Sequence, residues 1–218
     1  MNLVFPPLYA IIDAALLKTS ELSFVEMMAE SGVELLQYRN KRASSRELFE
    51  ASRSISATFS RLAKPGSYKP RFIVNDRADI ARLANAQGVH VGQQDLNVEE
   101  ARAIVGPDSL VGVSTHSLEQ LDAADKTSAD YIAFGPIFPT SSKENPDPVV
   151  GLHLLREARQ HTQKPIVAIG GITLERAAEV FRAGADSLAV ARDLIVSENP
   201  AARAQFFLKE AAHARGEN

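Results

Sequence analysis

The feature that most constrains the fold is a repeated alternation between short apolar runs and longer amphipathic segments. The runs are of strand length, and most are bounded by Gly, Pro, Asn or Asp. They cover residues 8–12, 33–38, 71–75, 88–91, 110–114, 131–134, 165–169 and 187–190. Most are apolar throughout, which is typical of strands that are buried on both faces of a sheet.

The segments between the runs carry helix-start signals. In two of them a Ser is followed three residues later by Glu or Gln, the spacing of a capping box, which satisfies exposed backbone N–H groups. The candidate N-caps are Ser44, Asn97, Ser117 and Thr173. We therefore expect helices over residues 44–62, 117–126, 152–160 and 174–182, the last of them ended by a glycine-containing step.

Strands that alternate with helices predict a parallel α/β sheet. Eight such units in 218 residues fit a closed (β/α)8 TIM barrel, near the lower end of the usual size. We expect residues 1–218 to form a single domain, because no linker-like stretch divides the chain. An open, doubly wound parallel sheet is the alternative that the alternation leaves open.

Composition excludes several classes of protein. Apolar residues make up 45% of the chain and charged residues 23%, as in ordinary globular proteins. The chain has no cysteine, which rules out disulfides, thiolate nucleophiles and zinc–sulfur sites. A net charge of −3 argues against general binding to nucleic acid or to a membrane surface. Since neither a membrane span nor a signal-peptide pattern is evident, we expect a cytoplasmic location.

Polar and charged residues are concentrated just after the predicted strands. In a (β/α)8 barrel, the loops at the carboxyl ends of the strands build the functional site. The segments in question are 37–41, 75–77, 92–95, 114–116, 135–143, 170–171 and 191–192. Because all these strand ends lie on one rim, we expect cations, carboxylates and glycines to meet there.

Arg39 and Lys41 lie two residues apart after the second run, so both side chains can point to the same side of an extended segment. Arginine offers a planar fork to phosphate oxygens, and lysine offers a compact charge. The pair is therefore a candidate anion site. The alternative is a solvated basic loop that continues through Arg42.

Asp76 and Asp95 follow the third and fourth runs, and neighbouring strands of a barrel lie about 4.8 Å apart. Two carboxylates, together with the oxygens of a phosphate-type ligand and water, would suit Mg²⁺, a hard ion that prefers oxygen ligands. Taken singly, Asp76 is also a common type of helix N-cap and Asp95 a turn residue. The pairing beside two cations favours the metal.

Gly170 and Gly171 precede the helix predicted over 174–182 and are a candidate phosphate cradle, because backbone N–H groups at a helix start favour anions. The polar stretch 140–143 adds three hydroxyl groups and a lysine. The alternatives are a tight turn for the glycines and a flexible surface loop for the polar stretch.

Two histidines and a serine near the rim carry no local pattern of acid–base or nucleophilic catalysis. We expect His90 and His116 to be structural hydrogen-bonding groups. Ser114 has no activating partner in its sequence neighbourhood, so we do not expect it to act as a nucleophile.

Together these segments resemble the thiamine phosphate synthase family. The resemblance is carried by 8–13 (LYAIID), 37–41 (QYRNK), 74–77 (VNDR), 88–93 (GVHVGQ) with Asp95, 112–117 (GVSTHS), 135–140 (GPIFPT) and 169–172 (IGGI). The segments occur in the family's order along nearly the whole chain. The VNDR and GPIFPT segments are fairly specific, whereas a Gly-Gly pair is not.

The resemblance implies a transferase that joins hydroxymethylpyrimidine pyrophosphate to a thiazole phosphate, giving thiamine phosphate and pyrophosphate. The residues it implies for the pyrimidine and its pyrophosphate are Gln37, Tyr38, Arg39, Asn40, Lys41, Asn75, Ser114 and Lys143. Those it implies for the thiazole phosphate are Thr140, Ser141, Ser142, Gly171, Ala191 and Arg192. Asp76 and Asp95 would bind Mg²⁺, and the catalytic set would be Arg39, Lys41, Ser114 and Lys143.

The implied chemistry needs no catalytic base. The electron-rich aminopyrimidine supports a carbocation once pyrophosphate leaves, and the thiazole nitrogen then attacks that carbon. The protein's task is to neutralise the leaving group and to align the two rings.

Arg192 departs from the family pattern, in which a small or hydroxyl residue usually follows the eighth strand. Its side chain either contacts the thiazole phosphate or turns outward to pair with an acid. The carboxylated form of the thiazole phosphate is an equally admissible substrate.

Two other functions are alternatives. A barrel resembling the thiazole tautomerases would need the phosphate cradle but not the pyrophosphate and metal residues, and His116 lies at the rim where such a protein works. A regulatory barrel would bind a phosphate ligand without turnover. A homodimer is compatible with the sequence, although no stripe of residues indicates one.

Overall fold

A computed structural model of the chain describes residues 5–62, 70–140 and 147–216. Eight parallel strands pair in sequence order, and the last pairs with the first. They are β1 (Leu8–Asp13), β2 (Leu35–Arg39), β3 (Arg71–Asn75), β4 (Gly88–Val91), β5 (Leu110–Thr115), β6 (Tyr131–Phe134), β7 (Ile166–Ile169) and β8 (Ser187–Val190). The predicted closed barrel is confirmed, and the open sheet is excluded by the pairing of β8 with β1.

Helices follow each strand and surround the barrel. They are α1 (Glu21–Glu30), α2 (Ser45–Leu62), α3 (Ala78–Leu83), α4 (Val98–Val105), α5 (Leu118–Asp125), α6 (Gly151–His161), α7 (Leu174–Arg182), α8 (Arg192–Ile195) and α9 (Pro200–Arg215). Among the described residues, no helix is both long and apolar enough to cross a membrane.

The core has two layers, because successive strand residues point to opposite faces of the sheet. On β1, Leu8, Ala10 and Ile12 pack outward against the helices. Tyr9 and Ile11, from the same strand, belong to a separate cluster inside the barrel, together with Tyr131 of β6. The barrel is thus filled by side chains, and the functional site must lie above this plug, at the strand ends.

The predicted helix starts are confirmed at three of four positions. Ser44 and Glu47 form a reciprocal capping box, as do Asn97 and Glu100, and the Ser117 hydroxyl accepts from the backbone N–H of Gln120. Thr173 is the exception. It stands at the N-cap position of α7, but its side chain makes no capping bond.

The start of α7 is instead capped from outside the helix. The Asp193 carboxylate, on α8, accepts a hydrogen bond of 3.1 Å from the backbone N–H of Leu174. A carboxylate at a helix N-terminus also faces the positive end of the helix dipole. A tertiary contact therefore replaces the local cap that the sequence predicts.

Candidate active site

The carboxyl ends of the strands open into a cavity of about 740 Å³. Predicted residues from both halves of the chain line it together: Gln37, Arg39, Lys41, Asn75, Asp76, Asp95, Ser114, Thr140, Gly171, Ala191 and Arg192. Ser141, Ser142 and Lys143 fall outside the described residues. The parallel topology thus gathers residues that are up to 155 positions apart in the sequence.

Tyr38 and Asn40 do not line this cavity, which corrects the expectation for their side chains. Tyr38 lies on the outer face of β2, where its hydroxyl donates to Glu21 of α1 at 3.2 Å. The amide of Asn40 donates to that same hydroxyl, and its oxygen accepts from backbone N–H groups of the following turn. The alternation along β2 sends Gln37 and Arg39 to the cavity and the residues between and beyond them to the helix layer.

The two cations after β2 each face a carboxylate. Arg39 donates to Asp13 at 2.6 Å, across the β1–β2 pair. The Lys41 ammonium lies 2.5 Å from Asp76. Asp13 is 5% exposed, and it ends the first strand, a position from which a rim residue is expected. No role was predicted for Asp13 from the sequence. Its place at the end of the first strand was the available signal, whereas its pairing with Arg39, 26 positions away, required the fold.

Asp76 and Asp95 lie close enough to influence one another. The pKa of Asp95 is raised, first by burial and further by the nearby negative charge of Asp76. Asp95 also accepts a hydrogen bond of 2.8 Å from the N–H of Gly92. Two carboxylates that repel one another fit a divalent cation, whose charge would offset both.

The backbone of Asp76 supports a special role for this position. Its φ of 63° is left-handed, a conformation that costs free energy for residues other than glycine and occurs often at functional sites. Its N–H donates to the carbonyl of His90 at 2.8 Å, which holds the loop against β4. The Asp76 side chain is thereby turned to the cavity and does not cap α3, since the N-cap there is Arg77.

The described part of the mouth carries no excess of positive charge. Its cations are Arg39, Lys41, Arg176 and Arg192. Its carboxylates are Asp13, Asp76, Asp95, Asp147 and Asp193. Positive side chains in this part of the structure therefore do not by themselves neutralise a pyrophosphate.

The glycine pair follows β7, across the barrel from Asp76 and Asp95, which follow β3 and β4. Gly170 and Gly171 have φ values of 97° and 62°, and added Cβ atoms would collide with the segment 136–139. Their close packing leaves the backbone open to the cavity beside the start of α7. This arrangement suits an oxyanion.

Two arginines border this glycine pair, and one was not predicted. Arg176 donates to the carbonyl of Gly171 at 3.0 Å and lies over the Phe138 ring, 4.4 Å from its centroid. Arg192 is exposed, and its side chain makes no hydrogen bond or ion pair with any described residue. The neighbouring Asp193 pairs with Arg203 instead. Arg176 is on the first turn of a helix, where only the fold shows which direction it faces.

Ser114 does have a partner, contrary to the sequence-based expectation. Its hydroxyl lies 2.8 Å from Nε2 of His90, on the neighbouring strand β4. His90 is buried and contacts Tyr131 through Nδ1, as expected of a structural histidine. The pairing escapes detection in the sequence because the two residues are 24 positions apart.

His116 is also held by the protein on both sides of its ring. Its Nδ1 lies 2.6 Å from the carbonyl of Gly135, and its Nε2 lies 3.3 Å from Asp147. The residue lines the cavity, but both nitrogens face protein groups. It fits the expected structural role better than that of a base.

The fold and the site define a (β/α)8 barrel whose mouth combines cations, paired carboxylates and a glycine cradle. A family model described as thiamine monophosphate synthase matches residues 8–194. The chain is 49% identical to the thiamine-phosphate synthase of Koribacter versatilis over 213 residues, which cover 95% of this chain and 97% of that protein. The chain therefore belongs to the thiamine monophosphate synthase family.

Further comparisons agree with this assignment. The thiamine-phosphate synthase of Shouchella clausii is 42% identical, over 84% of this chain and 87% of that protein. Among solved structures, the thiamine phosphate pyrophosphorylase from Pyrococcus furiosus superposes with a TM-score of 0.84 at 32% identity, covering 95% of this chain and 96% of that one.

Proposed function

We propose that this protein is a thiamine phosphate synthase. It joins hydroxymethylpyrimidine pyrophosphate to a thiazole phosphate, or to the carboxylated form of that phosphate, and releases pyrophosphate. The observation that carries the proposal is that one cavity holds two polar ends, with Arg39, Lys41 and two carboxylates at one and the Gly170-Gly171 cradle at the other. A reaction between two phosphorylated substrates needs such a two-ended cavity.

At the pyrophosphate end, the side chains act by charge and position. Arg39 and Lys41 supply hydrogen-bond donors, and their carboxylate partners hold them in place before the substrate binds. Gln37 and Asn75 are the amides that meet the pyrimidine, and Lys143 adds a further charge. No base is needed, because the attacking thiazole nitrogen uses a lone pair and carries no proton to be removed. The leaving pyrophosphate departs as an anion that the positive charges stabilise.

Mg²⁺ is the cofactor that we propose for Asp76 and Asp95. When bound, it supplies positive charge to the oxygens of the leaving pyrophosphate. No cluster of three or more metal-binding side chains occurs among the described residues. In this proposal the protein supplies two carboxylate ligands. The remaining ligands would be water and pyrophosphate oxygens, as is usual for this ion.

At the other end, the thiazole phosphate would bind the backbone of Gly171 and of the Ala191–Arg192 step, near Thr140, which lines the same cavity. The contacts expected of Ser141 and Ser142 remain predictions. Arg192 supports this assignment, since its side chain has no other partner among the described residues. We propose that it contacts the phosphate directly.

The alternatives fit the site less well. A tautomerase would use His116 as a base, but both ring nitrogens face Gly135 and Asp147. A regulatory barrel would have no use for two carboxylates beside two cations. The synthase uses all of these groups.

The test is incubation of the purified protein with both substrates and Mg²⁺, followed by phosphorus NMR. We expect thiamine phosphate and free pyrophosphate to appear in equal amounts over many turnovers. Conversion of the thiazole phosphate alone would favour the tautomerase, and stoichiometric binding without product would favour the regulator.

A further inference from the structure

A continuous series of hydrogen bonds crosses the interior of the barrel beneath the cavity. Nε2 of Gln37 donates to the Tyr9 hydroxyl at 2.8 Å. The Tyr9 hydroxyl lies 2.9 Å from that of Tyr131, which lies 3.1 Å from Nδ1 of His90. Nε2 of His90 lies 2.8 Å from the Ser114 hydroxyl. This series connects Gln37 on β2 with Ser114 on β5 through three buried residues, of which Tyr9 and His90 also line the cavity.

The direction of each hydrogen bond in this series follows from the first one, in which the Gln37 amide nitrogen is the donor. The Tyr9 oxygen accepts from the Gln37 amide, so the proton of Tyr9 is directed to its other partner, Tyr131. The Tyr131 proton is then directed to Nδ1 of His90, which must accept it. A neutral imidazole that accepts at Nδ1 carries its proton on Nε2, and this proton is donated to Ser114. The Ser114 oxygen therefore accepts, and its own proton is left to point into the cavity.

The buried members of the chain are held firmly in place. Tyr9 and Tyr131 are 1% and 0% exposed, and burial raises the pKa of both phenols, which keeps them as protonated donors. The His90 and Tyr131 rings stack, with centroids 5.6 Å apart. A Cβ atom on Gly112 would overlap the Tyr131 ring, so β5 makes room for this ring only by having glycine there.

We propose that Tyr131 and His90 are positioning residues, which fix Ser114 as a hydrogen-bond donor toward an oxygen of the departing pyrophosphate. The proposal rests on the proposed synthase function for the identity of the acceptor. It assigns a task to a largely buried polar network in the floor of the substrate cavity, whose member Tyr131 does not line that cavity. A donor that is already oriented costs no reorganisation when negative charge develops on the leaving group.

The kinetic test uses Tyr131→Phe, which removes one hydroxyl and keeps the ring. We expect kcat to fall about tenfold, the value of one oriented hydrogen bond, with little change in KM for the thiazole phosphate. Tyr9→Phe should have a similar effect, although it lies farther from Ser114. Thr115→Val is the matched control. It removes a buried hydroxyl that donates to the carbonyl of Ala133 and is not part of this series of hydrogen bonds.

A double-mutant cycle separates positioning from general loss of structure. In a Ser114→Ala background, Tyr131→Phe should cause almost no further loss of kcat, since the group that it positions is gone. A full additional tenfold loss in that background, or a kcat for Tyr131→Phe equal to that of Thr115→Val, would overturn the proposal.

Nitrogen NMR of ¹⁵N-histidine-labelled protein tests the chain without an activity assay. The signals of His90 are those missing from the spectrum of His90→Gln. We expect them to show the His90 proton on Nε2, and we expect Tyr131→Phe to weaken that preference. A proton on Nδ1 in the unaltered protein would overturn the chain whatever its activity. Lack of turnover with the expected His90 spectrum would instead count against the proposed synthase function.

Discussion

Asp76 and Asp95 illustrate how single residues are tuned at the mouth of this barrel. The pKa of Asp95 is raised by burial and by its acidic neighbour. Since its folded pKa lies above the unfolded value, protonation of Asp95 favours folding, and this contribution is lost as the pH rises through the folded pKa. Ionisation of both carboxylates thus lowers the stability of the folded protein, and a bound divalent cation would offset this loss.

Asp76→Asn should lower the pKa of Asp95, because the substitution removes the like charge and leaves the burial in place. Carbon NMR titration of the aspartate carboxyl groups measures this directly. Asp147→Asn is the control, since Asp147 lines the same cavity but is not among the causes of the shift. An unchanged Asp95 titration in Asp76→Asn would show that the charge of Asp76 does not contribute to the raised pKa.

Arg192→Ser tests the arginine at the other end of the cavity, whose side chain has no partner among the described residues. We expect KM for the thiazole phosphate to rise about tenfold, with kcat nearly unchanged, because a charge-assisted bond to the bound phosphate is lost. Arg182→Ser, on the exposed end of α7, is the matched control. Equal affinity in Arg192→Ser and the unaltered protein would rule out a side-chain contact.

At the scale of elements, the position of α7 depends on α8 and α9. Arg203 of α9 holds Asp193 through two hydrogen bonds, of 2.8 and 2.9 Å, and Asp193 in turn caps the first turn of α7. The glycine cradle immediately precedes that turn. The C-terminal helix therefore contributes to the shape of the site without lining it.

Arg203→Met should lower the free energy of unfolding by about 2 kcal/mol, because a partly buried carboxylate loses its partner. It should also raise KM for the thiazole phosphate, since the start of α7 becomes less firmly held. Chemical denaturation and steady-state kinetics measure the two effects. Lys209→Met, at an exposed position on the same helix, should change neither quantity. If Arg203→Met lowered the stability without changing KM, α9 would have no influence on the thiazole phosphate site.

The sequence predicted the elements well because strand and helix periods differ and the strand ends are marked by polar residues. The strand bounds agree within two residues, and most of the described rim residues meet as expected. Tyr38 and Asn40 were misassigned because a motif of consecutive residues ignores the alternation of a strand. The Ser114–His90 pair and the cap from Asp193 were missed because the partners are 24 and 19 positions apart in the sequence, and only the packing of neighbouring strand–helix units brings them together.

At the scale of the whole molecule, the topology places at one mouth both groups of residues that we propose to bind the two substrates. The pairing of β8 with β1 brings Arg192 and the glycine cradle within the same cavity as Arg39 and the two aspartates. In the part of the chain that the structure describes, this mouth has more carboxylates than cations. Binding of pyrophosphate there is therefore expected to depend on a divalent cation.

The central measurement is calorimetric titration of the purified protein with inorganic pyrophosphate, in Mg²⁺ and in EDTA. The account predicts binding about a hundredfold tighter with Mg²⁺, a difference of about 2.7 kcal/mol. It also predicts that Asp76→Asn removes most of this difference. Pyrophosphate that binds equally tightly in EDTA would contradict the account, because the side chains alone would then hold the leaving group.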